Sequence, residues 1–298
     1  LKKLYTVDKQ MTPDGDFPTV KFPNPEFPET FVLGIGVAEE NGSDLIIATD
    51  PDADRVGVMA RDKTGVFKCI TGNQMGALLL DYIITAYEES GKIPADAYAV
   101  KTIVTSELAA EICRRHGVKV YNVLTGFKFI GEVIKEHEMS GNGTFLLGFE
   151  ESYGYLKGTY ARDKDAVVAS LLITEMAAFY KSKNMTLCDA LDSVFERYGY
   201  YRENVFSITM SGLDGKERMS KTMESLRQSP PDGIAGHKIV EFRDYENEYI
   251  LDLRTGAKSP TGLPKSDVLY YVTDSHDVIV VRPSGTEPKI KVYVLTSG

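Results

Sequence analysis

Between Thr71 and Asn184 the chain alternates apolar stretches of two different periods, and that alternation limits what it can fold into. "TGNQMGALLLDYIITAYEESG" spaces its apolar residues as a helix does, with Gly91 placed to stop it. "AYAVKTIVT" reads as a strand. "SELAAEICRRHG" reads as a helix with Ser106 as N-cap and Gly117 as terminator. The strand "VKVYNVLTG", the helix "FKFIGEVIKEHEM", the strand "TFLLGFEES" and the long helix "KDAVVASLLITEMAAFYKSKN" continue the series. Strands alternating with helices build an α/β layer, because each apolar strand needs a helical face to cover it.

The flanks follow other rules. Residues 1 to 30 contain "TPDGDFPTVKFPNPEFPET", which predicts an extended, irregular segment, since Pro blocks helix interiors and central strands. "FVLGIGVAEENG" is expected to be helical and "DLIIATD" to be a buried strand. "VGVMARDKTGVFKCI" reads as two strands about a turn at Lys63-Thr64-Gly65. Beyond about residue 185 come the helix "TLCDALDSVFERYG", the strand "YRENVFSITM" and the helix "GKERMSKTMESLRQ". The strands "GHKIVEFRDY", "DVLYYVT", "DVIVVRP" and "KIKVYVLT" then follow. Strands in succession predict an antiparallel α+β domain. The expected fold is therefore mixed α/β, with α/β/α layered domains followed by a C-terminal α+β domain and a linker between Lys181 and Asn204. A chain of 298 residues is long enough for two or three such cores.

Composition excludes several classes of function. A net charge of −9 argues against a nucleic-acid scaffold, which needs a basic face for the phosphate backbone. No apolar run approaches the length of a membrane span. Cys69, Cys113 and Cys188 lie far apart and form no C-x-x-C pair, which points to a reducing, cytoplasmic setting. The start, Leu1-Lys2-Lys3-Leu4, has neither an initiator Met nor a signal-peptide pattern and predicts a fragment with upstream protein missing.

The chemistry concentrates where "LIIATD" ends. Asp50, Asp52 and Asp54 stand at alternate positions, so an extended backbone puts them on one face, and a little curl beyond the strand end lets them converge. Their mutual repulsion calls for a cation, and an all-oxygen ligand set suits a hard one, Mg²⁺ or Ca²⁺. An EF-hand loop fails, because its sixth and twelfth positions would hold Arg55 and Arg61 in place of Gly and Glu. A phosphatase with Asp52 as nucleophile matches strand-D-x-D but lacks the downstream acidic pair. A solvated acidic turn is the plain alternative, against which Arg55 weighs as a bidentate phosphate grip beside the metal.

Four further segments carry candidate chemistry. In "RPSGTEP", Arg282, Ser284, Gly285 and Thr286 offer charge, hydroxyls and backbone N–H groups to an anion, although a plain hairpin turn explains the same residues. In "GFEESYG", Glu150 and Ser152 share one side of an extended chain, where they could read neighbouring sugar hydroxyls. "TGF", with Thr125 and Gly126, and "RDKD", with Lys164, each fall at an element boundary, where open α/β folds place ligands. Lys164 suits proton transfer or phosphate clamping; a charged helix start is the simpler reading. The four histidines do not cluster.

Taken in order, "DPDADR", "TGF", "GFEESYG", "RDKDAV" and "RPSGTEP" closely resemble the α-D-phosphohexomutase superfamily, and "PDGDFPTVKFPNPE" resembles that family's approach to its metal strand. "GFEESYG" is most similar to the phosphoglucomutase and phosphopentomutase branch. The resemblance implies residues 1–71 as the end of a metal-loop domain, 72–184 as a sugar-binding domain and 200–298 as a phosphate-binding domain. It implies Mg²⁺ on Asp50, Asp52 and Asp54, with Arg55 and Lys164 as catalytic groups. Thr125, Gly126, Glu150 and Ser152 would read the sugar, and Arg282, Ser284, Gly285 and Thr286 the distal phosphate. The implied reaction interconverts glucose 1-phosphate and glucose 6-phosphate through a phosphoserine and glucose 1,6-bisphosphate. Pentose and mannose phosphates are alternative substrates; a metal-dependent phosphatase and a non-catalytic sugar-phosphate binder are alternatives of other classes. The family's "T/A-S-H-N-P" phosphoserine loop is absent from these residues, so a chain lacking the phosphoryl donor is expected to be inactive alone.

Overall fold

The computed structural model describes residues 3–212, 214–285 and 288–298. The chain divides into two compact units, Leu1–Gly199 and Tyr200–Gly298.

The first unit begins with the irregular Pro-rich segment and then forms helix α1 (Val32–Asn41), ended by Gly42 at a φ of 64°, a left-handed value that favours glycine. Strands β1 (Leu45–Thr49), β2 (Val56–Arg61) and β3 (Phe67–Ile70) make a three-stranded antiparallel meander. The expectation of a buried first strand is corrected here. Of its residues only Ile46 is buried, against Phe31, Ala38 and Met59. Leu45, Ile47 and Ala48 are half-buried and Thr49 is exposed, so the apolar run of this edge strand is only partly covered.

Helix α2 (Gly72–Glu89) follows, opened by a capping box. The Thr71 hydroxyl accepts the Gln74 N–H, and the Gln74 side chain accepts the Thr71 N–H. The series then runs β4 (Ala97–Thr102), α3 (Glu107–Arg115), β5 (Lys119–Val123), α4 (Phe127–Ser140), β6 (Thr144–Glu150), β7 (Gly154–Leu156) and α5 (Ala166–Ser182). The sheet order is β5-β4-β6-β7, with the first three parallel and β7 antiparallel. Tyr98, Val100, Ile130, Ile134, Phe145 and Leu156 form the core between this sheet and α4. Helix α6 (Leu187–Tyr198) lies in the stretch the sequence left between domains, yet it packs on α2, α3, α5 and β2. Its anchor is Asp81 of α2, which is 1% exposed and takes both Nη atoms of Arg197 (2.9 and 2.7 Å) and the Tyr198 hydroxyl (2.9 Å). A buried carboxylate needs such partners, because desolvation is otherwise too costly.

Among the described residues the second unit is an antiparallel sheet with one helix. Its elements are β8 (Tyr201–Thr209), α7 (Gly215–Gln228), β9 (Gly233–Ile234), β10 (His237–Asp244), β11 (Tyr249–Asp252), β12 (Lys258–Pro260), β13 (Leu269–Thr273), β14 (Val278–Pro283) and β15 (Lys289–Ser297). The order is β12-β11-β10-β13-β14-β15-β8, with β9 on β10. Met223 of α7 packs onto Phe242, Leu269, Tyr271 and Ile279. The sequence missed β7, β9, β11 and β12, which are two to four residues long and too short to show a period. No helix among the described residues is long and apolar enough to cross a membrane.

Candidate metal and phosphate site

The carboxyl ends of β4, β5 and β6 point the same way, as parallel strands must, and the loops leaving them gather at one edge of the first unit. The metal-loop candidate is stitched to that edge by backbone hydrogen bonds. The Val56 N–H donates to the Tyr153 carbonyl (3.0 Å), Arg55 bridges Gly154, and the Ala166 N–H donates to the Ala53 carbonyl (3.0 Å). Residues nearly a hundred positions apart are thereby held in one piece.

Asp50, Asp52 and Asp54 each bring a carboxylate oxygen to within 4.8 Å of the other two. They do so by a tight turn. The Asp50 carboxylate accepts the N–H groups of Asp54 (3.1 Å) and Arg55 (2.9 Å), and Ala53 takes a φ of 56°. The extended-face argument is corrected accordingly: convergence comes from a side chain that folds the backbone around itself, as Asp commonly does in turns. Burial, reinforced by the Asp54 and Asp52 charges and opposed by the Arg55 N–H, pushes the Asp50 carboxyl up to about 6. Burial also works to raise Asp54, but the Lys164 ammonium and Arg55 outweigh it and hold that carboxyl below the usual range. A cluster that raises one member's affinity for a proton is short of positive charge, and three hard oxygens fit Mg²⁺ with positions left for a phosphate.

Two side-chain cations attend the cluster. Lys164 Nζ sits 2.8 Å from Asp54 Oδ2 and 3.2 Å from Asp163 Oδ1, and lies over the Phe127 ring at the start of α4. Its stem crosses Gly154, where any Cβ would collide with it. The helix-start reading applies to Asp165, which caps α5 by accepting the N–H groups of Val167 and Val168 (2.8 and 3.0 Å). Arg55 donates from Nη1 to Glu26 Oε1 at 3.0 Å, and its Nε stands 3.8 and 3.7 Å from Asp50 and Asp54. A cavity of about 390 Å³ opens beside them, lined by Phe22, Pro23, Asn24, Phe27, the three aspartates and Arg55.

The sugar-reading candidates lie on the same edge. Glu150 is 8% exposed, and its Oε1 accepts the Gly126 N–H (2.8 Å), which fixes the "TGF" turn to the end of β6. Gly126 has a φ of 117°, and Thr125 beside it is half-buried. The expectation that Glu150 and Ser152 share a side of an extended chain is overturned. Glu150 pairs with Gly154 across a tight hairpin, and Tyr153 takes a φ of 67°, so the chain reverses between them. Ser152 is half-buried in that turn.

In the second unit, Arg282 and Ser284 are half-buried and Gly285 is exposed in the β14–β15 hairpin, closed by the Ser284 N–H on the Lys289 carbonyl (2.8 Å). Thr286 lies outside the described residues. The anion-nest and hairpin readings thus fall on one and the same turn. Sequence reasoning missed Glu26, Gly154 and Phe127 as attendants of the site. The "PNPE" run had signalled the first, and the glycine of "SYG" the second.

Residues 1–65 match the family model described as phosphoglucomutase/phosphomannomutase, alpha/beta/alpha domain II, and residues 71–198 match its domain III. The chain is 38% identical over 288 residues to a phosphoglucomutase of Staphylococcus aureus (strain MSSA476), covering 97% of this chain and 51% of the relative. It thus spans about half the length of that protein. Among solved structures, a putative phosphomannomutase from Thermus thermophilus superposes with a TM-score of 0.60 at 19% identity, over 93% of this chain and 47% of the other. The pp63/parafusin phosphoglucomutase from Paramecium gives 0.60 at 18% identity, over 92% and 45%. These two likenesses bear on the fold.

Proposed function

The chain belongs to the phosphoglucomutase/phosphomannomutase family, and from that premise we propose that it carries the metal-binding and sugar-phosphate-reading half of a phosphoglucomutase. The observation that carries this reading is the convergence of Asp50, Asp52 and Asp54 with Arg55 and Lys164 beside one cavity.

Each group's chemistry fits phosphoryl transfer between a serine and a sugar hydroxyl. The three aspartates hold Mg²⁺, which supplies neutralising charge where the phosphoryl group moves. Arg55 grips an oxygen of that group, its guanidinium matching phosphate geometry. Lys164, held close to Asp54, meets a second phosphate oxygen or moves the proton of the attacking hydroxyl. Glu150 and Ser152, with Thr125 and Gly126, read sugar hydroxyls. Arg282, Ser284, Gly285 and Thr286 hold the phosphate that is not reacting. Phosphoryl transfer is mostly positioning and charge stabilisation, so these static roles suffice once a phosphoserine is presented. Glucose 1,6-bisphosphate would be the intermediate that returns its second phosphoryl group to the serine.

Incubating the chain with Mg²⁺, glucose 1-phosphate and a trace of glucose 1,6-bisphosphate, with a coupled readout of glucose 6-phosphate, tests this. The expected result is Mg²⁺-dependent sugar-phosphate binding without turnover. Turnover at the pace of an intact mutase would refute the need for an added donor. Release of free phosphate abolished by Asp52→Asn, with no isomer formed, would replace the mutase reading by a phosphatase.

A further inference from the structure

Arg55 faces two competing sets of carboxylates. One is the triad, where its Nε stands 3.8 Å from Asp50 Oδ2 and 3.7 Å from Asp54 Oδ1, outside hydrogen-bond range. The other is Glu26, whose Oε1 takes Nη1 at 3.0 Å. Left to electrostatics alone, a guanidinium beside three crowded carboxylates would close onto them, because a bidentate contact is its strongest option. Here it is held back.

The holding residue is itself fixed in place. Asn24 Oδ1 accepts the Glu26 N–H at 2.9 Å, an Asx turn that sets the backbone just before the carboxylate. Pro25 is buried against Gly57 of β2, a position where any Cβ would run into the proline. Gly57 is two residues from Arg55 on the same chain. Glu26 is therefore presented to Arg55 by a wedge seated on the strand that follows Arg55. An exposed salt bridge usually joins two mobile side chains and contributes little; in this pair the acid is anchored first.

We propose that Glu26 is a positioning residue that draws Arg55 off Asp50 and Asp54, keeping their oxygens open to a divalent cation and turning the guanidinium toward the cavity. The idea rests on the metal-loop reading above and adds to it a residue that touches neither metal nor sugar phosphate. Without Glu26, Arg55 becomes a competitor of the cation it is meant to accompany.

Calorimetric titration of Mg²⁺ alone into the whole chain tests the inference through a double-mutant cycle. Glu26→Gln is expected to weaken Mg²⁺ binding about fivefold, the scale of coupling between neighbouring groups. In an Arg55→Ala background the same change is expected to cost less than about twofold, because the competitor is gone. Equal losses in both backgrounds would show that Glu26 acts through its charge and not through Arg55, and would overturn the inference. So would no loss in either. Glu26→Asp keeps the charge but retracts it from Nη1, and is expected to behave like Glu26→Gln; unchanged affinity would also overturn the positioning role. Titrating inorganic phosphate into the Mg²⁺-loaded protein separates this from the wider reading. Phosphate affinity unchanged by Arg55→Ala, with the Mg²⁺ cycle as expected, would remove Arg55 from phosphate binding and leave the role of Glu26 standing.

Discussion

The candidate metal loop of the first unit and the candidate phosphate hairpin of the second are both turns at the end of an apolar strand, but they differ in what holds them. The β14–β15 hairpin closes on itself, with strands adjacent in sequence and a hydrogen bond from Ser284 to Lys289. The candidate metal loop also turns on itself, through the Asp50 carboxylate on the N–H groups of Asp54 and Arg55, and is tied besides to distant partners: Glu26 on Arg55, Tyr153 on Val56, Ala166 on Ala53 and Lys164 on Asp54. A local turn can be judged from its own residues. A turn braced by three remote segments gathers charge that no single segment could hold, and it depends on every one of them.

The sharpest way to break the comparison is to strip a charge from each turn. Asp50→Asn is expected to reduce Mg²⁺ affinity by at least about 100-fold, more than loss of a supporting group normally costs a metal site. Calorimetry with Mg²⁺ alone measures it, and a change of a few-fold would mean that the triad is not the metal site. Arg282→Ala should weaken sugar-phosphate binding by about 1.5–3 kcal/mol, the usual scale for a charge-assisted contact, without touching Mg²⁺ affinity. Unchanged calorimetric affinity would take the hairpin out of the site.

Dependence on remote segments can be tested sterically. Gly72 opens α2 directly beneath the candidate sugar loop, and a Cβ there would strike the Glu151 carbonyl, which is backbone and cannot step aside. Gly72→Ala is expected to lower stability by about 1–3 kcal/mol in urea melts, an overpacking cost. Gly154→Ala meets only the flexible Lys164 stem and should cost less stability, under about 1 kcal/mol, while displacing the ammonium from Asp54. Equal stability losses would show that the two contacts are alike.

A gentler probe is pH. Because the folded, metal-free protein holds the Asp50 proton up to about 6, Mg²⁺ must displace it below that pH. Affinity should level off above pH 6 and fall by about fivefold between pH 6 and pH 5, approaching about tenfold per unit only further down. The same raised value means that Asp50 favours the folded, metal-free state below its unfolded pKa, and that this contribution is lost as pH rises from about 4 to about 6. Removing it by Asp50→Asn should flatten that part of the stability profile. A binding curve that stays level down to pH 5 would place the proton elsewhere.

The class of fold was legible because long elements repeat their period many times. The helix over Gly72–Glu89 and the strand over Ala97–Thr102 each declare themselves in their own residues. Three of the site's features were legible for a related reason: crowded aspartates, a Gly-bearing turn after a strand and a charged helix start are local patterns with local causes. Glu150 and Ser152 were misread on the assumption of an extended chain, because a three-residue reversal through the left-handed Tyr153 has no sequence signature when the residue is not glycine.

By itself the sequence determined the elements, the order in which they come and the supply of carboxylates and cations at their ends, since these follow from periodicity and from backbone preferences that act over a few residues. Only the tertiary structure decided who meets whom. It brought Lys164 to Asp54 across more than a hundred residues, set Glu26 against Arg55, spent one oxygen of Glu150 on Gly126, and buried Asp81 with Arg197 to seat α6. Those pairings are made by burial and by parallel strands ending at a common edge, and their free energy exists only when the whole unit is folded.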